Sequence, residues 1–170
     1  IWGLMMSVGG DVALGAFYVS NGKEWSYFYL GMGEFVIAQI MYFYISCLYG
    51  DFYWQSLLMS LIITIGFFIM NRGIILKSRP AQASMAYSFA ITAVLFNSIF
   101  AIVLGAGNMF MVLFLIGILL FWISDYVLFG IVFRREKYTL MQNYINKTTY
   151  FIGQLIIVMS LFFFKEALMM

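Results

Sequence analysis

The sequence predicts an all-α protein: a polytopic transmembrane bundle of six helices. Three observations carry this expectation. Of the 170 residues, 65% are hydrophobic and 9% charged, whereas a soluble domain keeps about 25% charged residues for its polar skin. The apolar residues gather into six long runs, as helices that cross a hydrocarbon layer require. Pro80 is the only proline, so the runs carry almost no breakers, and a helix satisfies its own backbone groups where lipid offers no partner.

The runs follow in order. Ile1–Val19 carries Gly3, Ser7, Asp11 and Gly15 at every fourth position, a small-residue face suited to close helix approach. Tyr27–Cys47 places Gly31, Glu34, Ala38 and Tyr42 on one face, with Gln39 beside it. Phe52–Met70 holds no charge. Ala83–Leu104 has Tyr87 near its start and Asn97 deeper. Met109–Phe133 sets Gly117, Phe121 and Asp125 on one face, with Ser124 adjacent. Tyr150–Phe164 closes the set, with Tyr150 and Gln154 near its start. The connections are short apart from 71–82 and 134–149. No linker, composition shift or internal repeat divides the chain, so a single domain over residues 1–170 is expected. Because the chain opens inside an apolar run, at Ile1, further residues are expected upstream. No signal-peptide pattern is present.

The charges give an orientation. Lys23, then Arg72, Lys77 and Arg79, then Arg134, Arg135, Lys137 and Lys147 fall on connections of one side, and Lys165 on the other. Such a bias marks the first side as cytoplasmic. Asn146-Lys147-Thr148 matches a glycosylation sequon; on that side it would go unused. A net charge of +2 is too small to point to nucleic acid. Cys47 is the only cysteine, which excludes an intramolecular disulfide and a Cys-based metal site. There is no histidine, hence neither the commonest metal ligand nor the usual neutral-pH base. No metal or cofactor is expected, and acid–base chemistry falls to carboxylates, tyrosines or lysines. The 13 methionines are packing residues, and the 21% aromatics are mostly lipid-facing or interfacial.

Against this apolar background Asp11, Glu34 and Asp125 stand out. A charge at membrane depth costs at least about 2.5 kcal/mol, so such groups are functional, paired or protonated. At 1.5 Å per residue, all three sit roughly 10–12 Å in from the cytoplasmic helix ends. Three acids on three helices at one level suggest a shared polar pocket, which Tyr87, Tyr150 and Gln154 also reach.

The same residues carry a resemblance. Gly3-Leu-Met-Met-Ser-Val-Gly-Gly-Asp11-Val-Ala-Leu14 resembles the Gly-Asp helix of the YhhN family of lysoplasmalogenase-like membrane hydrolases. Phe35-Val-Ile-Ala-Gln39-Ile-Met-Tyr42 resembles that family's Phe-x-x-x-His-x-x-Tyr, with Gln39 where the family has histidine. Gly117-Ile-Leu-Leu-Phe121-Trp-Ile-Ser124-Asp125 resembles its Gly-x-x-x-Phe-x-x-Ser-Asp, and Tyr150-Phe-Ile-Gly153-Gln154-Leu-Ile-Ile-Val-Met-Ser160 its closing helix. The four matches keep the family's order across nearly the whole chain. The resemblance implies an eight-helix family fold of which these six runs are the last six.

It also implies an activity: hydrolysis of the vinyl ether bond of a lysoplasmalogen, a single-chain ether phospholipid, to a fatty aldehyde and a glycerophospho-head group. Such a bond is cleaved by protonating its β carbon and adding water to the resulting oxocarbenium-like cation. One protonated carboxyl and one carboxylate suffice, as in glycosidases, and two close acids resist double ionisation. The resemblance gives Asp11 and Asp125 the acid and base roles, in an order left open. Gln39, Tyr42 and Gln154 would position water or the head group, with Glu34, Tyr87 and Ser124 as further substrate-binding candidates. Two rival classes remain: a non-catalytic lipid-binding or structural subunit of a membrane complex, and a proton-coupled transporter. Whether the chain forms a homo-oligomer stays open.

Overall fold

The computed structural model describes residues 2–21, 23–105, 107–134 and 139–163. Arg135, Lys137, Lys165 and the terminal positions Ile1 and Phe164 of two apolar runs lie outside these residues. Six α-helices follow one another: α1 (Trp2–Val19), α2 (Trp25–Gly50), α3 (Trp54–Ile75), α4 (Arg79–Val103), α5 (Met109–Phe133) and α6 (Leu140–Ser160). A 3-10 turn, Leu161–Phe163, continues α6. All six are long and apolar enough to cross a membrane, and the all-α transmembrane bundle holds.

The chain packs as two compact units, one formed by Ile1–Ile45 with Gln55–Val94 and the other by Ser46–Trp54 with Leu95–Met170. In the first, α1 and α2 form an antiparallel hairpin. The buried stripe of α1 is Gly3, Ser7, Gly10, Ala13, Leu14 and Phe17. Missing side chains let rings in: a Cβ at Gly3 would meet the Tyr42 ring at 2.7 Å, and one at Gly10 the Phe35 ring at 2.7 Å. Phe17, Trp25 and Phe28 close the hairpin's turn end, with ring centroids 4.9–5.5 Å apart. Asp11 and Gly15 lie off this stripe, both exposed. The expected face of every fourth residue fails because an α-helix has 3.6 residues per turn, so each fourth position rolls about 40° onward. By Gly15 the roll has carried the row away from α2.

In the second unit α5 and α6 form the corresponding antiparallel hairpin. Gly117, Phe121 and Ser124 face Gly153, Tyr150 and Asn146. A Cβ at Gly153 would lie 2.9 Å from the Gly117 carbonyl oxygen and 3.1 Å from the Phe121 nitrogen. These are backbone atoms, which cannot swing aside. Gly153→Ala is therefore expected to part the hairpin and cost roughly 1–3 kcal/mol, measured as lost thermal stability in detergent. Phe121 and Tyr150 meet edge to face at 5.2 Å.

The boundaries differ from the sequence reading in two places. α3 runs to Ile75 and α4 begins at Arg79, so most of the 71–82 connection is helical. α6 begins at Leu140, ten residues before Tyr150. Its first turns are polar and gave no apolar run, yet Thr139 caps them. Its side chain accepts from the Gln142 backbone N–H while the Gln142 side chain accepts from the Thr139 N–H, a reciprocal capping box. Lys147 thus sits within a helix, not in a loop.

Candidate functional site

Each hairpin contributes an acid and a glutamine, and simple helical geometry places them. On α1, Asp11 follows Gly10 on the seam and so lies about 100° around the helix from it. On α2, Gln39 lies about 40° from Phe35, turned in the same sense. Antiparallel neighbours turned in the same sense emerge on the same side, so Asp11 and Gln39 share one flank of the α1–α2 seam. Glu34 lies on the other. Its carboxylate rests against Gly9, where a Cβ would overlap it, and Gly9 is about 200° around α1 from Asp11. Glu34, half-buried, is thereby held apart from the Asp11 flank.

The seam between them carries Tyr42, 2% exposed. The Ser7 hydroxyl donates to the Gly3 carbonyl at 3.1 Å. Its single hydrogen is thus spent, so the Tyr42 hydroxyl, 3.5 Å away, donates to it. Tyr87, 7% exposed, packs its ring on Phe35, 6.1 Å between centroids.

The α5–α6 hairpin repeats the pattern. Asp125 lies about 100° past Ser124 and Gln154 about 100° past Gly153, in the same sense, hence on one flank of that seam. The spacing also agrees: Asp11 follows Gly3 by eight residues and Asp125 follows Gly117 by eight. Gly3 lies under Tyr42 and Gly117 under Ile157, each three residues beyond the glutamine of its hairpin. This correspondence does not appear as a sequence repeat because most of the matched positions differ in kind: Ser7 answers to Phe121, Tyr42 to Ile157.

Both glutamines share a further property. Gln39 is fully buried, and among the described residues neither of its amide atoms has a hydrogen-bond partner; the same holds for the buried amide of Gln154. An unpaired buried amide costs on the order of 1–3 kcal/mol. These are the sites where the structure departs furthest from the rule that buried polar groups are paired.

Ser124 differs. It is 1% exposed, and its hydroxyl donates to the Asn146 carbonyl at 3.1 Å while accepting from the Asn146 amide at 2.8 Å. The same amide donates to the Ser124 carbonyl at 2.9 Å. The hydroxyl's donor is committed to Asn146, and the residue clasps α5 to α6. Asn146, which reads as a sequon in the sequence, is half-buried with its amide engaged. The signal that could have located it is the capping box upstream, which starts the helix early enough to bring Asn146 opposite Ser124. Asp125 is half-buried and Asp11 exposed; both have interaction partners. Among the described residues no group of three or more Cys, Asp or Glu side chains is arranged to hold a metal ion.

The profile of the family described as YhhN family matches residues 1–161. No curated protein matches the sequence, and no solved structure matches it.

Proposed function

This chain belongs to the YhhN family, and from that premise we propose that it is a multi-pass membrane hydrolase cleaving the vinyl ether bond of lysoplasmalogen-type lysolipids. The observation that carries the reading is the pair of buried, unpartnered amides, Gln39 and Gln154, each on the same flank of its hairpin as an aspartate. Nothing in the packing of a lipid-embedded helix rewards such an amide, whereas a polar ligand or reacting water does.

In the proposed reaction one of Asp11 and Asp125 gives its proton to the β carbon of the vinyl ether. The ether oxygen and its neighbouring carbon share the resulting positive charge. The other aspartate takes a proton from water as that water's oxygen bonds to the cationic carbon. The hemiacetal then loses its hydroxyl proton, the bond to the glycerol oxygen breaks, and that oxygen is protonated. A fatty aldehyde and a glycerophospho-head group leave, with one water consumed. Gln39 and Gln154 orient water or the head group, and the Tyr42–Ser7 hydroxyl pair borders the Asp11 flank. With the basic connections cytoplasmic, a single-chain lipid enters from the inner leaflet.

The test is aldehyde release from lysoplasmalogen by the purified protein in detergent or liposomes. Release supports the hydrolase; a folded protein that binds the lipid and releases none points to a lipid-binding subunit, with glutamine at the family's histidine position as the first suspect. Gln39→Leu separates a ligand-facing amide from a packing one. It is expected to leave thermal stability unchanged or raised, since it removes an unpaired buried amide, while lowering kcat/KM about tenfold for one lost hydrogen bond. Lower stability with unchanged kinetics would mean that the amide serves packing.

A further inference from the structure

The clasp between Ser124 and Asn146 is directional in a way that the rest of the α5–α6 seam is not. Gly117 and Gly153 bring the two backbones together, and Phe121 and Tyr150 add an edge-to-face contact. Contacts of that kind resist separation but tolerate a roll of one helix about its axis. The clasp does not tolerate it. The Asn146 amide binds both the hydroxyl and the carbonyl of Ser124, at 2.8 and 2.9 Å, and the Ser124 hydroxyl returns a bond to the Asn146 carbonyl at 3.1 Å. The Thr149 hydroxyl donates mainly to the Ile145 carbonyl, at 2.7 Å, and also reaches the Asn146 carbonyl at 3.1 Å.

The Ser124 carbonyl belongs to the peptide group whose nitrogen is that of Asp125. From these contacts we propose that Asn146 is a positioning residue for Asp125, acting through that peptide group to set the roll of α5; this rests on the hydrolase reading above. The lever is long. A helix with its side chains has a radius of about 5–6 Å, so a roll of 20° carries a carboxyl at that radius by roughly 2 Å. Displacements of about 1 Å at a reacting group cost up to about 10²-fold in rate. Asn146 lies in the second turn of α6, beyond the first turn that Thr139 caps.

The experiment compares steady-state aldehyde release by the full-length wild type, Asn146→Ala, Ser124→Thr and Thr139→Ala, each with its thermal stability. Asn146→Ala is expected to lower kcat about 10–100-fold with KM changed less than about threefold. Ser124→Thr keeps both the hydroxyl and the carbonyl and is expected to restore near wild-type kcat. Thr139→Ala loosens the start of α6 without touching Ser124, and its kcat is expected to stay at the wild-type value. Should the alanine variant fail to fold, Asn146→Asp keeps the shape, removes both donors and is expected to show the same kcat loss. Full kcat in the Asn146 variants of an active enzyme overturns the proposal, as does an equal kcat loss in Thr139→Ala at equal loss of stability. A folded wild type that releases no aldehyde overturns instead the hydrolase reading, and this proposal with it.

Discussion

Asp11→Asn and Asp125→Asn are each expected to lower aldehyde release roughly 10²–10⁴-fold, the range that a positioned general acid or base contributes. Asparagine keeps the size and much of the hydrogen bonding of aspartate but neither gives nor takes a proton at neutral pH. Asp11 is exposed and Asp125 half-buried, so neither substitution opens a core cavity, and both variants should fold. The double variant discriminates further. If the two acids serve one reaction as a pair, removing the second costs little beyond the first, because residues that act as a unit are grossly non-additive. Full activity in both single variants would remove the acid pair from the mechanism. Glu34→Gln provides the contrast. Its carboxylate sits over Gly9, on the flank away from Asp11, and its replacement is expected to change kcat less than about threefold, far below the effect expected for an acid or base.

Asn97→Leu is expected to be the most destabilising of the single changes considered, by roughly 2–5 kcal/mol. Asn97 is fully buried and organises the turn between α2 and α3. Its amide donates to the Ser46 hydroxyl at 3.0 Å and to the Asp51 carbonyl at 3.0 Å, and its side-chain oxygen accepts from the Tyr53 N–H at 3.0 Å. Asp51 adopts φ +64°, a left-handed conformation that a non-glycine residue holds only when its surroundings fix it. Leucine fills similar space but takes their partner from the Asp51 carbonyl and the Tyr53 N–H, both part-buried bonds, at up to about 1–3 kcal/mol each. The measurement is thermal unfolding in a defined detergent, beside Asn97→Asp, which keeps the acceptor for Tyr53 and should lose less. Wild-type stability in Asn97→Leu would show that the turn holds without the clamp.

The six crossings were legible because hydrophobicity is a local property: a run of about twenty apolar residues has few options other than a spanning helix. The acids were legible for the same reason, as expensive exceptions in such runs. Asp11, Gln39, Asp125 and Gln154 could be picked out by type and position, and the family match over residues 1–161 spans them all. What could not be read was the direction each side chain faces. In a soluble helix the polar face marks the outside. In a lipid-embedded one the lipid face is as apolar as the packed face, so that marker is missing and small residues are the main clue. That clue misled on α1, where the true stripe steps from Gly3 and Ser7 to Gly10 and leaves Asp11 and Gly15 aside.

The tertiary structure alone decided three matters. It started α6 at Leu140, through a cap that no hydrophobic pattern announces. It paired Ser124 with Asn146, the hydroxyl giving its one hydrogen to the Asn146 carbonyl and accepting from the Asn146 amide. It left the amides of Gln39 and Gln154 buried and without a hydrogen-bond partner among the described residues. Local composition determines that these segments are helices in a membrane. Which polar atoms are paired and which are not depends on the roll and depth of each helix against its neighbour, and that is set by the shapes of residues distant in sequence.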